Sequence, residues 1–173
     1  MFEELIECIV KRNITGADIA KRYGIVILDI MLLLAGIVGS IAFPLVMILM
    51  LFVILLMISL TVLVFRNTDV EYEYSYFDNE MTIDKIRHRS TRKRMGEFNF
   101  NQLEFMAPAG SQKFANPDSG RKRVDYSANN EDMASYIAIL YNEDNEAIEL
   151  VITPNEELLN AISKNCPRKV SEV

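Results

Sequence analysis

Ile25–Phe65 reads IVILDIMLLLAGIVGSIAFPLVMILMLFVILLMISLTVLVF, 41 residues with one charged side chain, Asp29. About 20 apolar residues suffice for one helix to cross a bilayer. A single helix of this length would run about 60 Å, roughly twice the hydrocarbon thickness. Two antiparallel spans, about 25–42 and 45–65, are the economical arrangement. The turn falls near Gly39–Pro44, where GSIAFP supplies Gly, Ser and Pro. A soluble core helix would show a polar face, and neither half has one. The 24 residues ahead of the run hold four acids and four bases. With the apolar stretch starting so late and running so long, the segment reads as a retained transmembrane hairpin and not a secretory signal.

Charge on either side orients the hairpin. Lys11, Arg12, Lys21 and Arg22 precede the first span, Arg66 follows the second, and the connecting turn has no Lys or Arg. The positive-inside bias places both termini in the cytoplasm. Ala35, Gly36, Gly39 and Ser40 offer small residues that let helix backbones approach. Asp29 lies about one turn past Gly24, and the expectation is a structural membrane pair of Asp29 with Arg66. Cys8 and Cys166 are far apart, lie on the reducing side in this orientation, and lack metal-ligand spacing.

Ahead of the spans, Phe2, Leu5, Ile6, Ile9 and Val10 follow a helical spacing. This predicts a short amphipathic helix, with 1–24 forming amphipathic and juxtamembrane helices. Thr15-Gly16-Ala17-Asp18 is the start signal of the second of these. Residues 68–173 read as a cytoplasmic antiparallel β domain of about six or seven strands. Val70–Tyr76 alternates apolar and polar residues with period two, Asp78-Asn79 suits a hairpin turn, and Met81–Ile86 returns. Met95–Phe100 and Leu103–Phe105 alternate again before Pro108–Gly110 breaks the pattern. Residues 111–132 read as a long polar excursion with one short strand near Val124. Ser135–Tyr141 and Ala147–Ile152 make a hairpin around Asn142–Glu146. A C-terminal helix over 154–165 closes the domain, with Thr153 as N-cap, Glu156 completing a capping box and Pro167 ending it. The fold class is α+β.

This order, with VEYEYSYFDNEMTIDKI, the basic run, NFNQLEFM, FMAP, PNEELL and CPRKV, resembles a family of small two-span membrane proteins of Gram-positive bacteria with a cytoplasmic pleckstrin-homology-like (PH-like) domain. The resemblance implies a fold and a topology and no reaction.

The chain is acidic, with net charge -6, yet Asp84–Met95, DKIRHRSTRKRM, has six basic residues in twelve. Arg87, Arg89, Arg92, Lys93 and Arg94 are the candidate contacts for anionic lipid headgroups or a protein partner. The run also reads as a strand end, a Ser90-Thr91 turn and a strand start. Nucleic acid is disfavoured: the part after Phe65 holds 14 bases against 19 acids, and no aromatic residue interrupts the run to stack bases. The single histidine, His88, stands in a turn with nothing to position it as a base. There is no glycine-rich phosphate loop and no metal-ligand spacing, so neither a catalytic residue nor a cofactor is expected. The reading is a membrane-anchored, non-enzymatic binding or scaffold protein, with homo-oligomerisation left open. The alternatives are an accessory subunit of a membrane transport complex, resting on Asp29, and a membrane-tethered nucleic-acid binder.

Overall fold

A computed structural model describes residues 5–88, 91–111, 114, 121–142 and 145–171. The chain divides into two compact units, Ile14–Asp69 and a β domain built from the residues up to Asn13 together with those from Val70 onward.

The first unit is a helical hairpin, α1 (Gly16–Ala42) and α2 (Pro44–Thr68). Thr15 caps α1: its hydroxyl accepts from Asp18 N at 3.3 Å and donates to the Asp18 carboxylate at 2.7 Å. Phe43 is extended and Pro44 opens α2, because proline's fixed φ and missing N–H suit a first helical turn. Both helices are long and apolar enough to cross a membrane, and only 6% of each apolar window is buried. So little burial is unlike the core helix of a soluble domain, which is mostly buried. Gly36 is buried, and a Cβ there would collide with Met50 Sδ, so the missing side chain is what admits Met50.

The expected Asp29–Arg66 pair is corrected by the register. Thr61 Oγ1 donates to Asp29 Oδ2 at 2.5 Å, and Arg22 Nε donates to Thr68 Oγ1 at 2.7 Å. In an antiparallel hairpin of this register, Arg66 stands level with Gly24. It is about 7 Å of helical rise from Asp29. Ser59, by contrast, bonds its own helix at Leu55 O.

The β domain holds two four-stranded sheets, ordered β1-β2-β3-β4 and β5-β7-β8-β6. The strands of the first are β1 (Ile6–Lys11), β2 (Val70–Phe77), β3 (Glu80–Arg87) and β4 (Thr91–Asn99). Those of the second are β5 (Leu103–Pro108), β6 (Lys122–Asp125), β7 (Tyr136–Tyr141) and β8 (Ala147–Ile152). A 3-10 turn, Phe100–Gln102, leads from one sheet to the other, and α3 (Glu156–Asn165) follows β8. All pairings are antiparallel except β6 with β8, which is parallel.

Three sequence expectations are overturned here. The predicted amphipathic helix within 1–24 is strand β1, which pairs with β2 from Ile6↔Tyr76 to Lys11↔Glu71. Ile6, Cys8 and Val10 also have period two, and a short apolar run fits both templates. Cys8 and Val10 are buried in the core while Ile9 is 60% exposed. The domain is therefore not the continuous piece 68–173, and its strands number eight among the described residues instead of six or seven. The C-terminal helix starts at Glu156 and not at 154, with Asn155 as its cap, the side chain accepting from Leu158 N at 2.9 Å. Thr153 is already committed elsewhere: its hydroxyl oxygen accepts from Ala128 N at 2.9 Å and lies 3.1 Å from Ser135 Oγ.

Other expectations hold. Asp78 and Asn79 both have positive φ, 49° and 61°, as a two-residue hairpin turn requires. A short strand does contain Val124. Residues 112, 113 and 115–120 of the expected polar excursion lie outside the described residues. Cys8 and Cys166 are free thiols, and burial pushes both above their usual pKa.

Tyr74 joins the two sheets. It is fully buried on β2, donates to Tyr126 O at 2.6 Å and accepts from Thr153 N at 3.4 Å. Leu158 and Ile162 bring the apolar face of α3 into the same core. Met106 N donates to Lys169 O and Ser171 N donates to Met106 O, so the chain end covers the free edge of β5.

Two outcomes follow. Tyr74→Phe leaves the Tyr126 carbonyl and the Thr153 N–H short of a partner, and the expected loss is about 1–3 kcal/mol in urea unfolding. Burial raises Tyr72, Tyr74 and Tyr126 above the usual phenol value of 10.0. That contribution is fully present below pH 10 and is lost as pH rises toward the folded values, because the unfolded phenols ionise first. Tyr74→Phe should flatten the alkaline fall. Separately, a fragment covering 68–173 lacks β1 and opens the β2 edge. It should unfold without a sharp transition, whereas a chain joining residues 5–13 to 69–173 through a short linker should unfold cooperatively.

Candidate functional site

The basic run forms the far end of the β3–β4 hairpin. Arg87 pairs with Thr91, Ile86 with Arg92, Lys85 with Lys93 and Asp84 with Arg94. A register shift between Ile83 and Asp84 bulges β4 at Met95. His88 sits in the turn, exposed, with φ 48°. Arg89 and Ser90 lie outside the described residues.

Cross-strand pairs share a face, so the hairpin sorts its cations into two sets. Arg92 and Arg94 share a face with Asp84 and with Glu73 of β2. Arg92 Nη2 lies 2.7 Å from Glu73 Oε2, and Arg92 Nη1 lies 3.9 Å from Asp84. Arg94 lies 3.8 Å from Asp84 and 3.2 Å from Glu97. Glu73 Oε2 has no well-aligned hydrogen bond, so its contact with Arg92 is charge against charge. The Glu73 side chain is 5% exposed and the Arg92 side chain 59%. Two of the predicted contact residues thus neutralise carboxylates of their own sheet.

The opposite face carries Lys85, Arg87 and Lys93, beyond the point where Met81 and Ile83 enter the core. Lys85 pairs with Tyr72 and Arg87 with Val70. Arg12 comes to the same place, since its N–H donates to Val70 O at 3.0 Å and its guanidinium hydrogen-bonds the Tyr72 hydroxyl. The cationic face is therefore Arg12, Lys85, Arg87 and Lys93. Sequence reasoning found Arg87 and Lys93. It missed Lys85, which looks like an ordinary strand residue, and Arg12, which a helical reading of 1–12 put elsewhere. The signal for Arg12 is the period-two spacing of Ile6, Cys8 and Val10.

A cleft of about 310 Å³ opens between Phe98–Gln102 and the β7–β8 hairpin, with Glu80, Glu97 and Leu140 in its wall. None of the basic run lines it. Among the described residues, no group of three or more His, Cys, Asp or Glu side chains could hold a metal ion.

A family model matches nearly the whole chain, from ahead of the first strand to past the C-terminal helix. The chain belongs to the bacterial PH-like domain family DUF6106, over residues 2–172. The family match takes in β1 and the hairpin as well as the later strands, so a DUF6106 unit comprises both parts. No curated protein and no solved structure matches the chain. The combination makes it a membrane-associated PH-like protein.

Arg92→Ala leaves Glu73 buried and unpaired. The expected cost is about 1–2 kcal/mol, less than for a fully buried pair because Arg92 is more than half exposed. Glu73→Gln in the same chain should recover most of it. Lys93→Ala should change stability by less than about 0.5 kcal/mol. Chemical denaturation of the three variants checks the division of the two faces.

Proposed function

We propose that this DUF6106 protein is a membrane-anchored, non-enzymatic binding or scaffold module that holds its PH-like domain against the cytoplasmic surface of the bilayer. The observation that carries this reading is the pairing of β1 with β2 across the inserted hairpin. One strand precedes the two spans and the other follows them, so their pairing supports an even number of crossings with both termini on one side. The basic residues before the first span and after the second, and their absence from the turn, support the cytoplasm as that side. Four residues, 12–15, join β1 to α1, and Asp69 alone joins α2 to β2. Two connections this short keep the domain at the membrane surface.

On this face Arg12 stands in the connection to α1, and Arg87 pairs with Val70, the residue that follows the connection from α2, which favours anionic headgroups as the contact of the face. At about 1 kcal/mol per cation near an anionic surface, Arg12, Arg87 and Lys93 supply at most about 3 kcal/mol, enough to orient a tethered domain. The Asp29–Thr61 hydrogen bond supports a structural role for Asp29 over a transport one. The ion pairs of Arg92 and Arg94, with the acidic balance, weigh against nucleic acid.

The test uses the full chain in nanodiscs. Amide hydrogen exchange should slow over residues 85–93 when phosphatidylglycerol is added to phosphatidylcholine. The double variant Arg87→Ser/Lys93→Ser should abolish that difference. Equal exchange in the two lipids would end the headgroup reading. A reporter fused after Val173 should read cytoplasmic, and an external reading would overturn the orientation.

A further inference from the structure

The hairpin carries a polar feature that the β domain does not share. Arg22, on α1, is half-buried and held in place from two sides. Its Nε donates to Thr68 Oγ1 at 2.7 Å, and its guanidinium carbon lies 4.9 Å from the centroid of the Phe65 ring. Thr68 is buried, and its own hydroxyl points back to the carbonyls of Val64 and Phe65, at 3.1 and 3.0 Å, which leaves its oxygen free to accept from Arg22. Both terminal nitrogens of Arg22 remain without a protein partner among the described residues. Lys21 is drawn instead to Asp18, at 3.6 Å. Beside Arg22 runs a groove of about 390 Å³ lined by Ile14, Ile19, Tyr23, Val26 and Phe65.

Membrane thickness places this groove. A hydrocarbon layer of about 30 Å is crossed by about 20 helical residues. Counting back from the turn at Phe43 along α1 reaches the other boundary near Arg22, and counting forward along α2 reaches it near Phe65. A guanidinium with two free nitrogens therefore stands at phosphate depth, and an apolar groove leads from it toward the acyl region. Tyr23, 67% exposed, has its amphipathic ring at the same level.

We propose that the Arg22 groove is a binding site for one anionic phospholipid. The guanidinium takes the phosphate through two parallel charge-assisted hydrogen bonds. Thr68 and Phe65 fix its plane, and an acyl chain lies over Ile19 and Val26. The site rests on the membrane-spanning reading of the hairpin and is independent of the basic face of the β domain.

The experiment is native mass spectrometry of the full chain, released from membranes of mixed phosphatidylglycerol and phosphatidylcholine. One phosphatidylglycerol should remain per chain in preference to phosphatidylcholine. Arg22→Gln should lower that retention by about tenfold or more. Ile19→Trp, which fills the groove without touching the Arg22–Thr68 bond, should do the same, and it carries the test if Arg22→Gln does not fold. Arg87→Ser/Lys93→Ser should retain the lipid as the parent does. Equal retention of the two lipids, retention unchanged in Ile19→Trp, or displacement of the lipid by millimolar inorganic phosphate would overturn the site. Loss of the lipid only in Arg87→Ser/Lys93→Ser would also overturn it, moving the lipid to the basic face and leaving the proposed function standing.

Discussion

The backbone ladder between Ile6–Lys11 and Val70–Tyr76 is the contact on which the rest depends. It joins two stretches separated by the whole apolar hairpin. Closing so long a loop has an entropic cost that grows only slowly with its length. Much of the closure is supplied in advance, because two antiparallel helices return the chain to where it started. The ladder in turn supplies β1, whose Cys8 and Val10 complete the core beneath the β2 tyrosines and α3. Helical hairpin and β domain are thus separate compact units whose chain connections require one another.

Within the β domain, Tyr74, Tyr126, Ala128, Ser135 and Thr153 form one hydrogen-bonded set. Tyr74 spans the sheets with a hydroxyl that both donates and accepts, and Thr153 gives up its capping position to hold Ala128 and Ser135. Glu73 shows the same economy at the surface, since a nearly buried carboxylate is tolerated because Arg92 lies across it. The basic run is consequently not one feature. Strand alternation divides it into cations that neutralise carboxylates on the outer face of their sheet and cations that lie with Arg12 at the end of the core-side face.

The hairpin repeats this logic in an apolar setting. Asp29 is answered by Thr61 and Arg22 by Thr68, while Ser59 is absorbed by its own helix. These pairs share one register, which Gly36 makes room for by admitting Met50. The polar positions were legible from sequence as departures from an apolar run. Their partners were not, because an antiparallel register shift of a few residues leaves composition and spacing unchanged.

What the sequence determined by itself is whatever depends on local chemistry. The long apolar run with a proline in its middle dictates two long apolar helices, and the alternation of Val70–Ile86 around Asp78-Asn79 dictates a hairpin. Tertiary structure decided whatever depends on which groups meet. Ile6–Lys11 satisfies helical and strand periodicities alike, and only the open edge of β2 makes it a strand. Thr153 and Asn155 are both good caps, and only the demand of Ala128 assigns the role to Asn155. Arg92 and Lys93 are neighbours with the same charge, and only the pleat, which turns successive side chains to opposite faces, sends one to Glu73 and the other to the face of Arg12.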